Sequence, residues 1–332
     1  MSEDKFSQKM GDTLLDPKSN RIWKGLLALV LILLLVDVVL GWYWSWEPPL
    51  TEVSKRDGAV AGETVTREVI HVASTLLDKP GGYLSNDMMP HRLWLDNMPA
   101  WEYGVLVQLR DVTRVMRRDM SRSQSQSQED RFLSVAEPQF NFDAQSWAMP
   151  ATESEYQRGI DALNKYLAAL RRNDGSTHFY ARADNLSDWL NEVQNRLGSL
   201  SQNLSQSVGR VQLNTETDAS LNQLDQQETR VHTPWLKIDD VFYEARGASW
   251  ALVQLMRAME VDFAEVLRNK HATVSFRQMV RELEATQASM WSPVILNGSG
   301  FGLFANHSLV MANYIARANA SLIDLRKLLQ EG

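Results

Sequence analysis

The sequence predicts an all-α protein: one N-terminal transmembrane helix followed by a periplasmic bundle of long antiparallel helices. Three observations carry this prediction. Gly25 to Trp46 reads GLLALVLILLLVDVVLGWYWSW, with Asp37 as its single charge. Beyond it, apolar residues recur at alternating steps of three and four through most of the chain, the spacing that lines one stripe of a helix. No stretch shows the alternation of a half-buried strand.

As a helix the apolar segment is about 33 Å long, against a hydrocarbon core of about 30 Å. Trp23 marks one end, and Trp42, Tyr43, Trp44 and Trp46 crowd the other, where amphipathic rings favour the headgroup zone as interface anchors. The apolar run passes straight into WYWSW without small residues at a cleavage position, so it reads as an uncleaved signal anchor over 25–46. Lys5, Lys9, Lys18, Arg21 and Lys24 precede it, whereas the next twenty residues hold only Lys55 and Arg56. That bias puts the 1–24 tail in the cytoplasm and the rest of the chain outside, a single-pass protein of a bacterial inner membrane. Asp37 reads either as a hydrated acid near the interface or as a contact for a partner helix.

The net charge of −7 falls on the region after the span, because residues 1–24 sum to +1 and Asp37 contributes −1. An acidic exterior argues against nucleic acid as a partner. The absence of cysteine excludes disulfides, thiolate metal sites and cysteine nucleophiles. Five Asn-x-Ser matches, at Asn185, Asn203, Asn297, Asn306 and Asn319, read as chance in a bacterial envelope protein.

EPPLTEVSKRDG reads as a short stalk over 47–60, ahead of a helical domain over 61–332. Val65, Val69, Val72 and Leu76 form a first stripe, stopped by Lys79-Pro80-Gly81-Gly82. Val105, Leu109, Val112 and Met116 form a second, begun near Pro99. Tyr156, Ile160, Leu163, Leu167 and Leu170 form a third; Leu186, Leu190, Val193, Leu197, Leu200 and Leu204 a fourth. The longest runs from Ile238 through Phe242, Ala245, Ser249, Leu252, Met256, Met259 and Phe263 to Val266. Another is expected over Ser275 to Met290, and a last over Gly302 to Leu329, with Leu303, Val310, Tyr314, Ala318, Leu322, Leu325 and Leu329 on one face. Such stripes bury only against other helices, within one chain or as a coiled coil between copies.

Two polar stretches could subdivide the domain. SRSQSQSQED opens a linker region over 121–150, followed by LSVAEPQFNFDAQSWAMP, which lacks a helical period. Gln212 to Pro234, rich in Gln, Asn, Thr and Asp, links the fourth and fifth helices.

The most distinctive residues are KPGGYLSND at Lys79 to Asp87, LDNMPAWEYGVL at Leu95 to Leu106 and QLRD at Gln108 to Asp111. On these the chain resembles a family of proteobacterial single-pass inner-membrane proteins whose function is unassigned. The resemblance implies the anchored topology and carries no catalytic residue or ligand with it. Read for themselves, Pro80, Gly81 and Gly82 end a helix and permit positive φ. Tyr83, Leu84, Met88, Met89, Leu93, Trp94 and Leu95 give the intervening loop an apolar load, suited to covering the bundle or touching a partner.

The second helix carries Arg110, Arg114, Arg118 and Arg122 at four-residue steps, with Arg117 beside them. Like charges on one stripe repel, and Asp111 and Asp119 offset this only in part. The stripe is the candidate site for an anion or an acidic partner surface; the alternative is a helix face paired with acids elsewhere in the bundle. GSGFG at 298–302 lacks the strand that a nucleotide loop needs and reads as a helix–helix turn. The six histidines show no metal-ligand spacing, and Asp239, Asp240 and Glu244 are explained by the helix dipole. No nucleophile motif is present.

These observations point to a membrane-tethered interaction or scaffold module without catalytic activity, cofactor or metal. Its expected contacts are the bilayer through 25–46 and a protein partner or second copy through its helical faces. The alternative is a ligand-binding sensor or carrier holding an anion between helices.

Overall fold

The computed structural model describes residues 17–87, 96–123, 128–173, 175–208, 210–213, 228–231, 233–290, 295–298 and 305–331. The apolar segment forms α1 (Pro17–Trp44), long and apolar enough to cross a membrane, with its aliphatic side chains almost all exposed. A polypeptide that must satisfy its backbone polar groups in lipid does so within such a helix.

The helical stripes appear where the apolar spacing puts them. They form α2 (Glu63–Asp78), α3 (Asn97–Val115), α5 (Thr152–Arg172), α6 (Ala183–Ser205), α7 (Ile238–Asp262), α9 (Thr273–Ala285) and α10 (His307–Glu331). A π turn over Met116–Met120 extends α3. The longest predicted stripe breaks at Phe263, after which α8 (Ala264–Asn269) turns away. The last stripe sits one residue later than expected at its start: Met311 and Ile315 are buried, whereas Val310 is exposed. Counting steps of four back from Ala318 selects Val310 and Tyr314, but a step of three reaches the buried Ile315.

Two expected linkers contain structure. The segment expected to lack helix holds α4 (Leu133–Phe140), which buries Leu133, Ala136 and Phe140. Asp130 starts it by accepting hydrogen bonds from the Phe132 and Leu133 amides at 2.8 and 3.2 Å, while its other oxygen accepts from the Thr177 hydroxyl at 2.9 Å. Three apolar residues and an internal Pro138 are too short a pattern to show as a period. The second linker carries an antiparallel ribbon of β1 (Arg210–Leu213) and β2 (Glu228–Val231), with Arg210 opposite Val231; residues 214–227 lie outside the described residues. Buried side chains from both sides of each linker join one apolar core.

That core is centred on α3 and α7. Their backbones touch at two glycines: a Cβ on Gly104 would stand 2.1 Å from the Glu244 carbonyl oxygen, and one on Gly247 would stand 2.0 Å from that of Trp101. Trp101 and Trp250 pack beside this crossing with ring centroids 5.2 Å apart. The two helices run in the same direction, since Asp96 and Lys237, at their N-terminal ends, line one cleft. α2 runs the opposite way, its N-terminal Val65 amide donating to Asp262 at the far end of α7 (2.8 Å). α6 and α10 pair antiparallel along a further side, with Gln194 meeting Arg326 and Ser201 meeting Ala312.

Candidate functional site

The stalk segment that follows α1 lies along α7 as a strap. Glu47 meets Arg246, whose Nε stands 2.6 and 2.7 Å from the two carboxylate oxygens. Arg246 is buried, and its Nη1 also donates to the carbonyls of Thr286 and Ala288, each at 3.0 Å. Trp250 Nε1 points to the Pro49 carbonyl at 3.4 Å. Gln254 faces Thr51 with both ends of its amide: the oxygen accepts from the Thr51 N–H (3.1 Å) and hydroxyl (2.5 Å), and the NH2 donates to the Thr51 carbonyl (3.1 Å). Arg257 donates to the same carbonyl at 2.7 Å and pairs with Glu284. On the other edge Arg67 donates to the Ser54 carbonyl at 3.2 Å. A segment without a sheet must satisfy its backbone through side chains, and two arginines (Arg257 and Arg67), Gln254 and Trp250 supply the partners.

The apolar helix α1 itself ends on the bundle. Gly81, at φ 86, leaves room that Trp44 fills; a Cβ there would stand 2.8 Å from the indole Cγ. Two residues earlier, Lys79 forms a 2.5 Å ion pair with Glu102, and the two side chains are 1% and 0% exposed. Glu102 also accepts from the Leu84 and Ser85 amides at 2.8 Å each and from the Ser85 hydroxyl at 2.5 Å, while Lys79 Nζ donates to the Gly82 carbonyl. The distinctive residues at 79–87 and 95–106 are therefore two halves of one buried polar knot. Tyr83 and Asn86 continue it outward, to the Ala144 carbonyl (3.0 Å) and to Glu153 (2.8 Å). Burial pushes the Tyr83 and Tyr156 hydroxyls up, so both remain protonated, and Tyr83 is the one that donates. The apolar loop residues Met88, Met89, Leu93, Trp94 and Leu95 lie outside the described residues, as do the 1–16 part of the tail and 299–302 of GSGFG.

A second polar cluster sits behind the strap. Glu68 is buried on α2, and its Oε1 has no hydrogen-bond partner among the described residues. Desolvation pushes its carboxyl up to about 7, against the opposing pull of Arg67 and Arg257. His71, one turn on, faces the Thr51 hydroxyl at 3.4 Å, and burial holds its pKa below the usual value.

The chain belongs to a family of uncharacterised proteins conserved in bacteria (DUF2333). It matches that family over residues 17–332, which takes in α1, the strap and the bundle. No curated protein and no solved structure matches it.

The arginine stripe of α3 does not converge on one point. Arg110 clamps the carbonyls of Phe140 and Phe142 at 2.7 and 2.9 Å, beyond the end of α4. Arg114 pairs with Asp111 at 3.1 Å, and Arg196 of α6 grips the same carboxylate at 2.7 Å. Arg117 bridges Glu129 and Glu137, at 2.7 and 2.8 Å. Arg118 pairs with Asp119, and the Arg122 Nε is buried without a hydrogen-bond partner. Charges that repel along the helix are thus offset by carboxylates and carbonyls from α4, the 128–130 turn and α3 itself. Asp37 is half-buried on α1. Trp23, Trp42, Tyr43 and Trp46 are exposed, with Trp42 and Trp46 packed edge to face at 5.1 Å, whereas Trp44 turns inward to Gly81.

The strap contacts escape sequence reasoning because their partners lie about 200 positions apart. One signal was available: Arg246 and Gln254 interrupt an otherwise small and apolar run, GASWALVQLM and its flanks, on the most buried helix.

Proposed function

We propose that this protein is a bitopic inner-membrane scaffold, with a cytoplasmic N-terminus and a periplasmic helical bundle that presents its faces to a protein partner at a set orientation. The role is interaction rather than catalysis. The observation that carries it is the junction: Glu47, Pro49, Thr51 and Ser54 are tied to Arg246, Trp250, Arg257 and Arg67, and Trp44 seats against Gly81. A simple anchor needs only a flexible spacer. A strap held by the buried Arg246 and the half-buried Arg257 and Arg67 makes the membrane helix and the bundle move together, which suits a module that positions a partner relative to the bilayer.

The test is in-membrane crosslinking of the full chain followed by recovery of crosslinked species, with Arg246→Met to loosen the junction and Arg114→Glu to alter the stripe. A specific partner or a second copy is expected, with yield reduced by Arg246→Met. Recovery of neither, or a yield indifferent to the junction, overturns the reading. A partner lost on Arg114→Glu would place the contact on α3.

The ligand-binding alternative keeps one place in the fold. A cleft of about 280 Å³ lies between α7 and α10, lined by Phe242, Arg246, Met290, His307, Met311 and Tyr314. Its single guanidinium is already engaged by Glu47, so an anion there would have to compete with that carboxylate.

A further inference from the structure

Exposed large apolar side chains outside α1 are few among the described residues, and two pairs of them gather at one end of the bundle. Trp147 is 65% and Met149 100% exposed; Trp235 is 80% and Leu236 73% exposed. Each pair is fixed to the same end by its neighbours. The 143–150 loop is held by Tyr83 and Asn86, whose hydroxyl and amide donate to the carbonyls of Ala144 and Ser146 at 3.0 and 2.9 Å. The 235–237 turn leads directly into α7. Gln145 and Lys237 then face each other across a single cleft of about 460 Å³, with Asp96, Pro99, Tyr103 and Glu244 between them.

This is the end at which the membrane helix arrives. The strap descends α7 toward its N-terminus, with Thr51 at Arg257 and Gln254, Pro49 at Trp250, and Glu47 at Arg246. From Arg246 the helix continues to Ile238, which carries its N-terminal end about 12 Å past the Glu47 contact, on the side from which α1 enters. Tyr83 and Asn86 lie on the segment that begins at Gly81, against Trp44. Both exposed pairs therefore stand at the end of the bundle where α1, with Trp42, Tyr43 and Trp46 in its last turns and just beyond, joins it. Two tryptophans held in water beside the exit of a membrane helix match the placement of such rings at the headgroup level.

We propose that the junction end of the bundle rests on the bilayer surface, with Trp147 and Met149 on one side and Trp235 and Leu236 on the other seated at the headgroup–acyl boundary. The inference rests on the reading of α1 as a spanning helix. The cleft between the two pairs is lined by Asp96, Asp240 and Glu244 with one cation, Lys237, which Asp240 pairs at 2.8 Å, so the contact is apolar and aromatic rather than an attraction to anionic lipid. It is accordingly insensitive to salt.

Because the chain has no cysteine, single spin labels can be placed without background. The full-length protein in phosphatidylcholine nanodiscs would carry a label at Met149→Cys, Leu236→Cys, Leu33→Cys or Val274→Cys. Val274 is 80% exposed at the start of α9, a helix whose opposite end meets Arg246, so it reports on the far end of the bundle. Power saturation then compares oxygen with an aqueous nickel chelate. Labels at 149 and 236 are expected to show an oxygen preference several-fold above that at 274 and below that at 33, unchanged by salt. Replacing Trp147 and Trp235 by serine is expected to lower it, with the helical content retained by circular dichroism. Labels at 149 and 236 that match 274 while 33 stays deep overturn the proposal alone. A label at 33 open to the nickel chelate overturns the spanning reading beneath it. Shielding of 149 and 236 from both reagents shows a protein contact at this end and overturns the lipid assignment.

Discussion

Lys79 Nζ and Glu102 Oε1 stand 2.5 Å apart in side chains that water does not reach, joining the end of α2 to the second turn of α3. Desolvating two charges is costly, so such a pair persists only where other hydrogen bonds complete it. Here the carboxylate has three further donors and the ammonium one carbonyl. Removing one partner strands the other. Glu102→Gln is expected to cost about 3–5 kcal/mol in unfolding followed by circular dichroism in detergent. Lys79→Met should cost less, because Glu102 keeps its amide and hydroxyl donors. Replacing both by apolar residues should recover part of the loss.

The α3–α7 crossing tolerates no side chain at Gly104 or Gly247, where a Cβ would meet backbone. Gly104→Ala and Gly247→Ala are each expected to destabilise by about 1–3 kcal/mol or more, since whole helices must shift. Gly198 on α6 is the contrast: its nearest neighbour to a Cβ is the Asn319 amide at 4.0 Å. Gly198→Ala should therefore stabilise, by about 0.5–1 kcal/mol of helix propensity.

Glu68 makes stability depend on pH. The folded carboxyl keeps its proton up to about pH 7, whereas the unfolded chain releases it near 4.5. Between those values the folded state binds more protons, so stability falls as pH rises, by about 3 kcal/mol in total. Glu68→Gln should abolish that slope, leaving stability unchanged below pH 4.5 and raised above pH 7. Denaturant titrations across this range check it; an unaltered slope in the variant would contradict the assignment.

Loosening the junction should be separable from unfolding the bundle. Arg246→Met removes the Glu47 pair and strands the carbonyls of Thr286 and Ala288. A local loss of about 3 kcal/mol raises transient opening of the strap about a hundredfold. Limited proteolysis should then cut within residues 47–57 while the helical signal of the bundle persists. Simultaneous loss of both would mean that the strap is integral to the core.

Much of the fold was legible because burial leaves a period. Leu186 to Leu204 and Tyr156 to Leu170 repeat at helical steps and are buried on α6 and α5 with the faces that spacing implies. Short or non-periodic elements left no such trace. α4 shows only three buried residues around Pro138, and the strap has no period because it is held mainly by its own backbone carbonyls, which accept from Trp250 and Arg257. The arginines of α3 were visible as a stripe, but Glu129 and Glu137 reach Arg117 from beyond the helix, and Asp111 of α3 is shared between Arg114 and Arg196 of α6.

The sequence by itself determined a long apolar N-terminal helix, an all-α bundle without disulfides, and the place of most helices along the chain. These follow from local properties: hydrophobic length, the 3.6-residue turn, and the conformational demands of proline and glycine. Only the tertiary structure decided that Lys79 finds Glu102, that Arg246 reaches back to Glu47, and that Trp147 and Trp235 stand at the end of the bundle where α1 joins it. Such pairings depend on which helices become neighbours, and a stripe of apolar side chains specifies that a helix must be covered without specifying by what.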